Sequence, residues 1–137
     1  MANHLLRRID VFFYGLFMDE SLLRGKGIEP QQRRLAALEN FRLVIGARAT
    51  LVPCPGETVH GVIFSLTPAE IDSLYADTSV SVYRPEAVIC EVANDRIPAL
   101  CFNLPTAPAA NERNPEYAAK LKEIAGRIGL PDDYLVR

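Results

Sequence analysis

Residues 11–20, Val-Phe-Phe-Tyr-Gly-Leu-Phe-Met-Asp-Glu, constrain the fold of this chain more than any other stretch. Val11 to Tyr14 is an unbroken β-branched and aromatic run, the composition of a buried strand. Gly15 ends it, since glycine lets the chain turn there without a Cβ penalty. Asp19 is placed to cap a helix, with Met18 and Leu23 at the two positions of a hydrophobic staple. A strand that turns sharply into a helix start offers backbone N–H groups and a positive dipole end to a small carboxylate or phosphate. The same residues also suit an ordinary strand-loop-helix corner.

The rest of the chain is read around that corner. A short helix runs from Asp19 to about Arg24 and stops at Gly25 and Gly27. Phe41, Leu43 and Ile45 alternate with Arg42 and Val44 as in a strand, and Asn40 kinks the run before it. Ala49–Val52 and Thr58–Phe64 read as extended segments around a turn at Pro53-Cys54-Pro55-Gly56-Glu57. Gly61, inside the second segment, marks a bulge or a close backbone approach. Thr67, Pro68 and Glu70 form a capping box at the head of a second helix. Ala87–Val92 and Ile97–Leu104 are strands around an Asn94-Asp95 turn. Asn114 and Pro115 open a last helix whose apolar face is Ala118, Leu121, Ile124, Ala125 and Ile128, and Gly129 closes it. Strands cluster in the middle and helices punctuate them. That order predicts an α+β fold, a small mixed β-barrel of about five to seven strands with short flanking helices.

Composition narrows the function. A chain of 137 residues suits one domain, here residues 9–137 behind a loose arm over residues 1–8 that carries an exposed His4. A net charge of −2 offers no basic face for nucleic acid, and no apolar run is long enough to cross a membrane. The first eight residues lack the apolar core of a secretory signal, and three cysteines without a CxxC pair suit reduced thiols, so a cytoplasmic setting is expected. Cys90 and Cys101 fall in strands; Cys54 falls between two prolines. His60 and the cysteines lack metal-ligand spacing. Oligomeric state is not written in the sequence.

Taken together, Tyr14-Gly15-Leu16-Phe17, Asn40-Phe41-Arg42-Leu43, Gly46-Ala47-Arg48-Ala49-Thr50-Leu51, Val59-His60-Gly61-Val62-Ile63-Phe64, Leu74, Tyr83, Ala87–Val92 and the stretch from Asn114-Pro115-Glu116-Tyr117 to Asp132-Asp133-Tyr134 resemble the γ-glutamylcyclotransferase-like family, which includes the AIG2-like proteins. The order and spacing of these segments carry the resemblance, which covers nearly all of the chain from Ile9. It implies a small mixed barrel and a substrate of γ-glutamyl or amino-acid-like type. The loop Tyr14, Gly15, Leu16 and Phe17 would hold the substrate carboxylate, and Tyr83 would close over the site. The implied reaction is attack of the substrate's own α-amine on its γ-amide carbonyl, releasing 5-oxoproline. Such a reaction depends on positioning, on a carboxylate that moves protons, and on donors to the carbonyl oxygen, and needs no metal or organic cofactor.

Two residues depart from the family pattern. Leu16 stands where the family has a hydroxyl residue, which points to a different or more apolar ligand. Thr78 falls in the place of the family's acid/base glutamate, and a threonine hydroxyl accepts no proton near neutral pH. Asp77, one position earlier, is the candidate acid/base if the loop slips by one residue; otherwise it is a solvated turn aspartate. Glu86 is a second candidate, or else a rim carboxylate paired with Arg84 or Arg48. Arg48 and Arg42 either meet an anionic ligand or face water. The alternatives from other classes are a non-catalytic small-molecule binding module of the same fold and a thiol hydrolase built on Cys54 and His60.

Overall fold

The computed structural model describes residues 7–131 and 134–135. Among these residues five strands close into a barrel: β1 (Ile9–Phe13), β2 (Gln31–Ile45), β3 (Ala49–Leu66), β4 (Arg84–Val92) and β5 (Asp95–Asn103). Their order around the barrel is β1-β3-β2-β4-β5. β1 lies antiparallel to β3 and closes the barrel by a parallel contact with β5, Val11 opposite Leu100; the other neighbours are antiparallel. Three helices flank it: α1 (Glu20–Gly25), α2 (Pro68–Leu74) and α3 (Pro115–Ile128). The α+β class and the mixed barrel are as the sequence predicts. The expected arm over residues 1–8 lies almost wholly outside the described residues, as do Asp132 and Asp133. Arg8 is described, and its guanidinium donates to the Ser65 carbonyl at 2.8 Å.

The strand that the sequence marks as buried is buried along its length. Val11, Phe12, Phe13 and Tyr14 are all inaccessible to solvent or nearly so. Consecutive burial requires cover on both faces, which is why the run has no polar alternation. Each such side chain contributes about 1.5–3 kcal/mol. β1 packs against β3 in register from Ile9–Leu66 to Phe13–Val62. Gly61 of β3 permits that approach: a Cβ there would fall on the Phe13 carbonyl oxygen and the edge of the Phe12 ring. Its role is a close backbone approach, one of the two readings the sequence allows.

The largest departure from the sequence reading is in β2 and β3. The Pro53–Glu57 stretch is not a turn. It lies inside a continuous β3, paired with β2 on both sides, Phe41 opposite Pro53 and Glu39 opposite Thr58. The extra residues bulge out of β3, with residues 54–57 opposite the single residue Asn40, which adopts φ 68° and whose side-chain carbonyl accepts from the Gly56 amide at 3.1 Å. Asparagine tolerates that left-handed conformation better than most residues, so a bulge forms where composition suggests a reversal. The reversal is instead at Gly46-Ala47-Arg48, between Ile45 and Ala49. Arg34 on β2 then reaches across β3 to Asp10 on β1, with two bonds of 2.8 and 3.2 Å.

The helix signals hold. Asp19 caps α1 through the Ser21 amide at 3.0 Å. Thr67 and Glu70 make a reciprocal capping box on α2, at 3.2 and 2.8 Å. Asn114 caps α3 through the Tyr117 amide, and Gly129 ends it with φ 92°.

Candidate functional site

One cavity of about 320 Å³ opens at the end of β1. That volume suits a small molecule. Tyr14, Gly15, Leu16, Phe17 and Tyr83 line it, together with Lys26, Arg48, Tyr75, Ser79, Val80, Phe102 and Tyr117. Five of the six residues singled out from the sequence therefore share one wall system; Asp77 does not.

The loop at the centre differs from the expected direct turn into a helix. Leu16–Met18 forms a 3-10 turn, and α1 starts only after it. The Met18 and Asp19 amides are spent within the turn, on the Gly15 and Leu16 carbonyls at 3.0 Å each. The loop after β1 is thus a 3-10 turn and not a helix N-terminus. Gly15 has φ −114° and ψ −150°, extended backbone open to any residue. The conformational reason expected for this glycine does not hold. The reason is space: a Cβ on Gly15 would fall on the Tyr117 hydroxyl, which stands directly over it.

The cavity floor and sides are aromatic. Tyr75 stacks on Phe102, with centroids 4.0 Å apart and planes 14° from parallel. Phe17 meets Tyr75 edge-on at 6.1 Å, and meets Phe13 in the same way at 6.1 Å. Four phenols face this space, in different states. Tyr14 donates to the Phe102 carbonyl at 2.7 Å, and Tyr83 donates to the Ala49 carbonyl. Their protons hold the barrel end together. The Tyr75 and Tyr117 hydroxyls donate to no described residue; Tyr117 instead lies against the Leu16 amide. Burial pushes Tyr14, Tyr75 and Tyr117 above the usual phenol range, and burial with Tyr117 alongside takes Tyr83 to about 12 against the pull of Arg48. All four are neutral at pH 7 and can serve only as neutral donors or acceptors. Lys26 and Arg48 are the cations on the lining, so the charged groups there are positive.

Asp77 lies in the turn between Tyr75 and Tyr83. It is exposed, and its carboxylate accepts from the Ser79 amide at 2.9 Å and the Ser79 hydroxyl at 2.8 Å. These bonds, first the amide and then the hydroxyl, with Lys26 beside them, pull its pKa below the usual carboxylate value. The one-residue slip that would carry Asp77 into the cavity is not present, because the aspartate is engaged in capping its own turn. It meets the cavity wall from behind, through Ser79, Val80 and Lys26. Glu86 is likewise outside. It is exposed and accepts from the buried Asn103 side chain at 2.6 Å, rather than pairing with Arg84 or Arg48. Asn103 in turn accepts from the Leu51 amide at 3.3 Å, so Glu86 braces the β3–β5 contact.

The thiol alternative has no place in this cavity, since neither Cys54 nor His60 lines it. Cys54 lies in the irregular part of β3 opposite Asn40, and His60 lies opposite Ala37. His60 packs edge-on against Tyr134 with centroids 4.9 Å apart. Among the described residues no group of three or more His, Cys, Asp or Glu is placed to hold a metal ion.

Tyr75 and Tyr117 also line the cavity, and no local motif marks either as a wall residue. Nothing in the spacing of α3 shows that its first turn lies over Gly15, so Tyr117 has no local signal. The Gly46–Ala49 wall was visible as a segment but not as a wall. It is strapped from outside by Glu112, which accepts from the Ala47 amide at 3.0 Å and the Ala109 amide at 2.9 Å, and by Asn114, which donates to the Ala47 carbonyl at 3.0 Å.

The fold has counterparts. A solved structure described as "Gamma-glutamyl cyclotransferase" superposes with a TM-score of 0.80 at 20% identity, over 95% of this chain and 85% of that one. An uncharacterized human protein, loc79017, superposes at 0.77 with 21% identity, over 94% and 85%. An AIG2-like protein from Mus musculus superposes at 0.56 with 19% identity, over 81% and 82%. At these identities the likeness is one of fold. No curated protein sequence matches the chain. The family model "Gamma-glutamyl cyclotransferase, AIG2-like" matches residues 11–120, which span β1 to the first turns of α3 and so include the whole cavity wall. The chain belongs to the γ-glutamyl cyclotransferase, AIG2-like family.

Proposed function

We propose that the cavity beside Gly15 binds a small γ-glutamyl or amino-acid-like molecule, and that the protein holds this ligand without turning it over. The carboxylate of the ligand lies toward the Leu16–Met18 turn, and its body lies on the aromatic wall of Phe17, Tyr75 and Phe102. The observation that carries the reading is the make-up of the wall. Lys26 and Arg48 supply positive charge and the tyrosines supply neutral hydroxyls, while no carboxylate lines the cavity among the described residues. An anion is favoured in such a site. Intramolecular attack by an amine is not, since the amine must lose a proton as it attacks and no carboxylate on the wall among the described residues accepts one near neutral pH.

A second reading has one observation in its favour. Ser79 lines the cavity, and its hydroxyl donates to Asp77. In this reading the α-amine of the substrate passes its proton through Ser79 to Asp77 while attacking the γ-carbonyl, and the leaving nitrogen is protonated as 5-oxoproline is released. The lowered pKa of Asp77 keeps it ionised but makes it a weak base. One experiment separates the two. A panel of γ-glutamyl amines and γ-glutamyl amino acids is tested for binding by calorimetry and for 5-oxoproline release, with wild-type protein and Asp77→Asn. Binding without product supports the first reading. Product formation that Asp77→Asn abolishes supports the second.

A further inference from the structure

We propose that Tyr117 determines which head group the cavity accepts, by presenting its hydroxyl proton to a ligand carboxylate over Gly15. This rests on the ligand-binding reading above and adds a residue of α3 to it. Three observations converge. First, the Tyr117 hydroxyl stands where a Gly15 Cβ would be, so the phenol is in contact with the loop and not merely near it. Second, the Leu16 amide lies beside the same hydroxyl, so the phenol oxygen sits at the loop and its O–H is free to turn toward the cavity. Third, that proton has no acceptor among the described residues, although Tyr14 and Tyr83 in the same cavity both spend theirs on backbone carbonyls.

The arrangement selects among ligands. A half-buried phenol whose proton has no acceptor among the described residues can offer that proton to the cavity, so it favours a head group with a charged acceptor oxygen. A ligand whose carboxylate is replaced by a carboxamide loses the charge-assisted part of that bond. The position of Tyr117 is held by the Asn114 cap of α3, with Asn114 also bonded to the Ala47 carbonyl. The cap therefore ties the first turn of α3 to the 46–48 turn that shares the cavity wall. Gly15 is then the partner that makes room, which accounts for a glycine at a backbone conformation any residue can adopt.

The test uses the full chain, γ-glutamyl-phenylalanine, and its counterpart in which the γ-glutamyl α-carboxylate is a carboxamide. Tyr117→Phe removes only the hydroxyl. It is expected to weaken binding of the carboxylate ligand about tenfold and to change binding of the carboxamide ligand less than twofold. A ligand-free cycle reads the same contact: Gly15→Ala lowers the melting temperature in the wild-type background and not in the Tyr117→Ala background. Wild-type binding that Tyr117→Phe leaves unchanged for both ligands overturns this proposal alone. An equal cost of Gly15→Ala in both backgrounds also overturns it. Failure of the wild type to bind either ligand overturns it together with the ligand-binding reading.

Discussion

At position 61 a single methyl group decides whether the barrel closes. A Cβ there collides with the Phe13 carbonyl and the Phe12 ring, and neither can retreat, because both belong to the buried half of β1, Val11 to Phe13. Gly61→Ala is expected to destabilise the fold by about 2–4 kcal/mol, measured by urea denaturation. A change within about 0.5 kcal/mol would show that β1 and β3 are not in the contact described. Gly61 was legible in the sequence, since a glycine inside a strand pattern signals close approach. Gly15 was legible as a special position but for the wrong reason. Its backbone is ordinary, and what excludes a side chain there is a tyrosine about a hundred residues away, which no local pattern encodes. Asp77 shows the same limit. Its type and place suit both a turn cap and a general base. Only the bonds to Ser79 show which role the turn gives it.

At the scale of elements, helices were legible because their ends carry local chemistry. The capping box of α2 is the clearest case, and it makes a prediction about acid. Burial pushes Glu70 up, but the Glu29 and Thr67 amides, the Thr67 hydroxyl and Arg8 together hold its pKa below the usual carboxylate value. A lowered folded-state pKa means that Glu70 contributes stability above its unfolded pKa, and that the contribution is lost as pH falls through the folded value. Glu70→Gln is expected to cost about 1 kcal/mol at pH 7 and to flatten the fall in stability between neutral and acidic pH. A mutant with an unchanged acid limb would contradict this. Strands were less legible, because their ends depend on partners. Pro53 to Glu57 has the composition of a turn, yet pairing with β2 and a bulge opposite Asn40 hold it in a strand. The Glu112 strap gives a second prediction. Glu112→Ala is expected to raise hydrogen exchange of the Ala47 amide at least about tenfold while amides of β1 stay protected. Uniform exchange across the barrel would show that the strap does not hold the 46–48 turn.

For the whole molecule, the barrel sorts its reactive groups. Burial takes the Cys90 thiol to about 12 and pushes Cys101 higher still, while Cys54 is only half-buried. Thiolates are the reactive form, so the native protein is expected to yield one fast-reacting thiol to a disulfide reagent, and three after unfolding. Three fast thiols in the native state would contradict the packing. The same closure gathers β1, the Gly46–Ala49 turn, the Tyr75–Tyr83 turn and the first turn of α3 around one cavity. The sequence named that cavity through its central loop and its family resemblance. It could not name the composition of the wall, because segments far apart in the chain supply it, Lys26 and Phe102 among them. The central claim is that this cavity receives the ligand. It is tested most directly by following backbone amide resonances while γ-glutamyl-phenylalanine is titrated into the protein. The account predicts saturable shifts at Gly15, Leu16, Phe17, Arg48, Ser79 and Tyr117, with the outer strand residues of β4 unmoved. Saturable shifts confined to another face, or no shifts with any γ-glutamyl compound, would contradict it.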